Sequence, residues 1–162
     1  MDDKTKNTNF QARKHRIAVV DDHSVVLEGL EQLINREDDL MVCVKAGNGK
    51  EALKAVCKQQ VDLAIVDMLL ENTTGVQITI DLKSRCPNLY VLILSMSDDP
   101  YHVKCAFQAG ARGYITKDEV SEKIIVAIHR VLRGEIYIGR RIARQFSKKT
   151  ILSWTLEADA EK

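Results

Sequence analysis

The sequence predicts a doubly wound α/β domain built on a five-stranded parallel sheet. The first observation is a set of unbroken apolar runs, IAVVD (17–21), MVCVKA (41–46), LAIVDM (63–68) and YVLILSM (90–96), with GYIT (113–116) as a shorter fifth. Runs without polar alternation suit strands covered on both faces, which is how parallel sheets are buried. The second is that helix-length segments separate these runs, at 24–36, 49–59, 76–85, 100–109 and 119–133. Strands alternating with helices build βαβ units.

Residues 1–14 are polar and read as a disordered lead-in. The first run leads directly into a helix whose Val26, Leu30, Leu33 and Ile34 share one face. The second and third runs each precede a helix of about three turns by the same logic. Gly110 and Gly134 follow the fourth and fifth helices, where a left-handed cap favours glycine. In the fifth helix Ile124, Ala127, Ile128 and Val131 form the inward stripe. The sheet domain is expected over residues 15–135, and residues 136–162 as a linker or extra helix without a complete output domain.

The totals exclude several function classes. Lys plus Arg is 24 against 23 for Asp plus Glu in 162 residues, so no global field marks a nucleic-acid or membrane-surface binder. No apolar run approaches a membrane span, the amino-terminal segment is no signal peptide, and a cytoplasmic location is expected. Cys43, Cys57, Cys86 and Cys105 form no CxxC pair and read as half-buried thiols in a reducing compartment. His15, His23, His102 and His129 are scattered and suggest no catalysis, with His23 opening the first helix.

The acidic strand ends carry the chemistry. Ligands of an open parallel sheet bind outside the carboxyl ends of its strands. Asp21 and Asp22 end the first strand, Asp67 the third and Ser95 the fourth, while Lys117 directly follows the fifth. In a 2-1-3-4-5 sheet all five fall on one edge, although 96 positions separate Asp21 from Lys117. Taken singly, an aspartate pair is usually a solvated turn, a strand-end serine a cap and a lysine a surface charge. Their joint placement is what points to a site. Three close carboxylates raise one another's pKa unless a cation joins them, and a hard, oxygen-seeking ion such as Mg²⁺ is the natural candidate. The Lys117 ammonium and Ser95 hydroxyl would then cradle a phosphoryl group, with Asp67, at the middle of the edge, as the nucleophile that accepts it.

The segments DDHSVVLEGL, IVDMLLENTTG, ILSMS and AGARGYITKD resemble the receiver domain of bacterial two-component response regulators, in the phrasing of the NarL/LuxR class. The resemblance covers roughly residues 15–135. It implies the flavodoxin-like 2-1-3-4-5 fold, a sensor histidine kinase as phosphodonor, and a conformational change on phosphorylation. By position it makes Asp67 the phosphoacceptor, Asp22 and Asp67 direct magnesium ligands, Asp21 a ligand through water, and the Leu69 backbone carbonyl the remaining protein ligand. Ser95 matches the switch hydroxyl, Lys117 the phosphate-binding lysine, and Tyr114 the aromatic residue that turns inward. It implies self-phosphorylation and autodephosphorylation rather than turnover of an external substrate.

Glu71 stands where the family usually has proline, which implies a looser 68–75 loop and an extra negative charge near the site. Leu69 offers a hydrolytic water little to bond, so the phosphorylated state is expected to persist. Arg140, Arg141, Arg144, Lys148 and Lys149 form a basic cluster, beside an apolar stripe of Ile142, Phe146 and Ile151. Basic runs are usually solvated faces, so DNA contact is expected only through an output domain, which needs about 50 further residues. The resulting expectation is the regulatory part of a transcriptional regulator, able to pair with a second copy. The alternatives are a stand-alone receiver acting by protein contact or phosphorelay, and an aspartate-nucleophile phosphohydrolase. Leu69 argues against the phosphohydrolase, which wants an acid two residues past its nucleophile. A flavin carrier lacks support for want of a hydroxyl-rich loop after the first strand.

Overall fold

The computed structural model describes residues 12–160; the first eleven residues of the expected lead-in lie outside them. Strands and helices alternate as β1 (His15–Val20), α1 (Ser24–Asn35), β2 (Leu40–Ala46), α2 (Gly49–Gln59), β3 (Leu63–Asp67), α3 (Gly75–Arg85), β4 (Tyr90–Ser95), α4 (Pro100–Gln108), β5 (Gly113–Thr116) and α5 (Val120–Leu132). A single 3-10 turn, Lys117–Glu119, separates β5 from α5. Beyond α5 lie β6 (Tyr137–Ile138), α6 (Arg140–Ala143) and α7 (Lys148–Ala160).

The sheet runs β2-β1-β3-β4-β5-β6 and every pairing is parallel. The predicted order holds, but the strand count is six rather than five. β6 pairs Tyr137 with Gly113 and Ile138 with Tyr114. Two residues held by backbone hydrogen bonds leave no apolar run to read, which is why the sequence pattern misses them.

The unbroken apolar strands are buried on both sides, as their composition requires. β3 and β5 are buried throughout. One face packs Ile17, Val19, Ile65 and Leu92 against α1 and α5. The other packs Ala18, Val20, Val66 and Ile93 against α2, α3 and α4. Helix starts follow side-chain capping: Asn48 accepts from the Glu51 amide at 2.9 Å, Thr74 from Gln77 at 3.1 Å, and Asp99 from Tyr101 at 2.8 Å, with Pro100 opening α4. Gly110 and Gly134, with φ of 110° and 83°, end α4 and α5 in the left-handed region that the spacing predicted.

The tail is part of the same body. Ile142 and Ile151 are fully buried in the core face beside α4, and the Phe146 and Trp154 rings meet edge-on at 5.2 Å. Gln108 of α4 reaches Glu157 of α7 at 3.4 Å. The predicted apolar stripe of Ile142, Phe146 and Ile151 is the docking face.

Candidate functional site

The carboxyl edge of the sheet gathers residues from four strands. β1 delivers Asp21 and Asp22, β3 ends in Asp67, β4 ends in Ser95, and Lys117 follows β5. Parallel register makes this convergence unavoidable: Val20 pairs with Val66, Asp67 with Leu94, and Ser95 with Thr116. The Lys117 ammonium lies 3.2 Å from Asp21 and 3.1 Å from Asp67. Asp21 is 1% exposed and Asp67 5%, so two buried carboxylates share one cation. Asp22 is the more exposed of the pair, and one of its carboxylate oxygens faces the His23 ring at 2.9 Å.

Charge and burial compete here. Burial pushes the Asp67 carboxyl above its ordinary pKa and the Asp21 charge adds to the rise, while the Lys117 hydrogen bond and charge pull it down without cancelling it. Burial alone would lower the Lys117 ammonium, but its hydrogen bond to Asp67 and the charges of Asp67 and Asp21 outweigh that and raise it. Two carboxylates against one ammonium leave the buried pair under-compensated.

His23, read from sequence only as a helix opener, joins this cluster. It caps α1, its amide donates to Asp21 at 2.8 Å, and its Nδ1 lies 2.9 Å from oxygens of both Asp21 and Asp22. Asp21, Asp22, His23 and Asp67 each bring a ligand atom within 4.8 Å of the others. A donor set dominated by carboxylate oxygen fits a hard divalent ion such as Mg²⁺. No spacing rule finds His23 in the sequence; only the turn after β1 folds its ring back onto the aspartates.

The loop after β3 stays close to the Asp67 carboxylate. The Leu69 amide donates to Asp67 at 3.4 Å, while the Leu69 side chain is 62% exposed. Leu70 donates to the Thr73 carbonyl at 3.1 Å and Leu69 bridges to Thr74, so a backbone turn holds the loop that carries Glu71, which the resemblance led one to expect to be looser. Glu71 itself is exposed.

Ser95 is 2% exposed, and its hydroxyl accepts from the Ser97 amide at 3.0 Å. Tyr114 is fully buried and its hydroxyl donates to the Ser97 carbonyl at 2.7 Å. Burial pushes the Tyr114 phenol up, and Ser95 partly offsets it. Ser95 and Tyr114 thus grip the same residue, Ser97, from two sides.

Sequence reasoning placed Arg141 only in a basic cluster and missed its ion pairs. Its guanidinium pairs with Asp98 at 3.3 Å and Asp118 at 3.5 Å, tying the loops that follow β4 and β5. The Arg140 amide donates to Glu119 at 2.9 Å. Among the described residues no helix is long and apolar enough to cross a membrane.

A family model described as the response regulator receiver domain matches residues 17–129. The transcriptional regulatory protein DegU of Brevibacillus brevis is 29% identical over 143 residues, covering 88% of this chain and 61% of its own. The oxygen regulatory protein NreC of Staphylococcus carnosus is 35% identical over 128 residues, covering 78% of this chain and 59% of its own. The chain therefore spans about three fifths of the length of these relatives. Among solved structures, a LuxR-family two-component response regulator from an Aurantimonas species superposes with a TM-score of 0.79 at 28% identity, covering 85% of this chain and 99% of that one.

Proposed function

The chain belongs to the response regulator receiver domain family, and from that premise we propose that Asp67 accepts a phosphoryl group from a sensor histidine kinase. The single observation that supports this reading is the Lys117 ammonium held 3.1 Å from Asp67 and 3.2 Å from Asp21. It supplies fixed positive charge at the point where a transferring phosphoryl group gathers negative charge.

Asp21, Asp22, Asp67 and the Leu69 carbonyl would hold Mg²⁺, with Asp21 acting through a water. The ion would supply the charge neutralisation that lets a dianionic phosphoryl group approach buried carboxylates. The chain's own residues do the rest. An Asp67 carboxylate oxygen attacks phosphorus in line with the donor nitrogen, and the phosphorus–nitrogen bond breaks as the acyl phosphate forms. Lys117 moves from its two-carboxylate contact toward a phosphoryl oxygen. The Ser95 hydroxyl turns to donate to another.

The switch follows from Ser97. Once Ser95 faces the phosphoryl group, the Ser97 amide loses its acceptor, and the Ser97 carbonyl is already bonded to Tyr114. A displacement at Ser95 is therefore felt at the β4–α4 loop and at Tyr114. In a longer protein of the same kind as its relatives, this change would regulate a DNA-binding output domain in the cytoplasm.

The test is exposure of the purified protein to Mg²⁺ and a small acyl phosphate, followed by intact mass. A gain of one phosphoryl group that disappears in Asp67→Asn is the expected result. Uptake that persists unchanged in Asp67→Asn would remove Asp67 from the role.

A further inference from the structure

We propose that Cys57 and Cys86 form an oxidisable dithiol, a redox modification site that takes a hydroperoxide as its oxidant. Their Sγ atoms lie 3.4 Å apart although 29 positions separate them in sequence. The other two cysteines lie elsewhere: the Cys43 thiol donates to the Ile17 carbonyl at 3.6 Å, and Cys105 sits on α4 beside Tyr101, whose phenol its proximity pushes up. Cys57 and Cys86 face each other across the ends of α2 and α3.

The two thiols are chemically unequal. Cys57 lies in the last turn of α2 and is exposed, so an oxidant reaches it. Cys86 is half-buried and capped in place: its amide donates to Leu82 at 2.8 Å and its carbonyl accepts from Leu89 at 3.0 Å. Lys83 anchors the following loop through the Pro87 and Leu89 carbonyls at 2.6 and 2.9 Å. Cys57 is thus the thiol that an oxidant reaches first, and Cys86 the fixed neighbour that resolves its oxidised form. A disulfide needs sulfurs about 2.05 Å apart. Closing from 3.4 Å takes only a small approach of the two helix ends.

The steps balance with hydrogen peroxide as the hydroperoxide. The Cys57 thiolate attacks one peroxide oxygen, so a sulfur–oxygen bond forms, the oxygen–oxygen bond breaks, and the hydroxide that leaves takes the proton Cys57 gave up. The Cys86 thiolate then attacks the Cys57 sulfenic sulfur. The sulfur–sulfur bond forms, the sulfur–oxygen bond breaks, and a second water departs with the Cys86 proton. Two thiols lose two electrons and one peroxide becomes two waters.

The pair sits in a cleft with Asp62 and Tyr90, at the amino edge of the sheet, opposite Asp67. It is therefore separate from the phosphoryl chemistry, and the two readings fail independently.

The experiment treats the full chain with hydrogen peroxide, blocks remaining thiols, and measures intact mass and the cross-linked peptide map. The expected result is loss of two hydrogen masses, a Cys57–Cys86 peptide, and reversal by dithiothreitol. Cys57→Ser and Cys86→Ser each abolish the cross-link, while Cys43→Ser, Cys105→Ser and Asp67→Asn keep it. A bridge between any other pair, linkage only between molecules, or Cys57 driven to sulfinate with no bridge would overturn the proposal.

Discussion

Gly75 stands so close to Asp67 that a Cβ on it would lie 2.5 Å from the Asp67 carbonyl oxygen and 2.9 Å from the Met68 Cα. The Gly75 amide also donates to the Met68 carbonyl at 2.7 Å, so the first residue of α3 is welded to the backbone that carries the Asp67 carboxylate. Both neighbours are backbone atoms and neither can rotate away. Gly75→Ala is expected to shift the 67–68 backbone and to destabilise the fold by about 1–3 kcal/mol, the usual scale of forced overpacking. Urea unfolding measures the first effect, and slower phosphoryl uptake from an acyl phosphate measures the second. Wild-type values for both would show that the contact relaxes at no cost.

The Asp67 carboxyl has a pKa raised by burial and by Asp21. A group that binds its proton more tightly when folded makes the fold less stable once pH rises above its unfolded pKa. The destabilisation is absent in acid and grows as pH passes upward through the raised value. Asp67→Asn is therefore expected to melt at a higher temperature than wild type at neutral pH in chelator, with the difference shrinking on acidification. Added Mg²⁺ should stabilise wild type more than the variant. A neutral-pH melting point lower in Asp67→Asn would mean that the lost Lys117 contact outweighs the relieved repulsion.

Leu69 projects 62% exposed from the loop that follows Asp67. An apolar side chain beside the proposed acyl phosphate on Asp67 would offer an attacking water no hydrogen bond. Leu69→Asn is expected to speed dephosphorylation several-fold without altering uptake, read as the decay of the phosphorylated mass after removal of donor. Identical decay curves would count against the idea.

Ile142 and Ile151 are fully buried and Trp154 is the one tryptophan in the sequence. Ile142→Ala is expected to loosen α7, because truncating a buried isoleucine costs about 2–5 kcal/mol. Trp154 emission should move to the red in folded Ile142→Ala relative to wild type. Unchanged emission would show that the remaining contacts hold α7 on their own.

The central fold was legible because β3, β4 and β1 are written as continuous apolar runs that only a doubly covered strand explains. Asp21, Asp67, Ser95 and Lys117 were legible as strand ends, since parallel order alone brings them to one rim. β6 was not, because Tyr137 and Ile138 are placed by backbone pairing with β5 rather than by any side-chain period. The pairing of Arg141 was hidden for a different reason. Its partners Asp98 and Asp118 sit on separate loops, and charge pairing across loops leaves no spacing to read. His23 depended on the turn after β1 folding its ring back onto Asp21 and Asp22.

The helix seated on α4 carries a lasting implication for anything that binds there. An incoming protein that needs the Gln108 side of α4 meets a rival already joined to its target by the peptide chain. Such a tethered rival has a fixed effective concentration, so diluting the protein does not weaken it. Access to that flank is governed by how firmly Ile142 and Ile151 stay seated, and not by how many molecules are present.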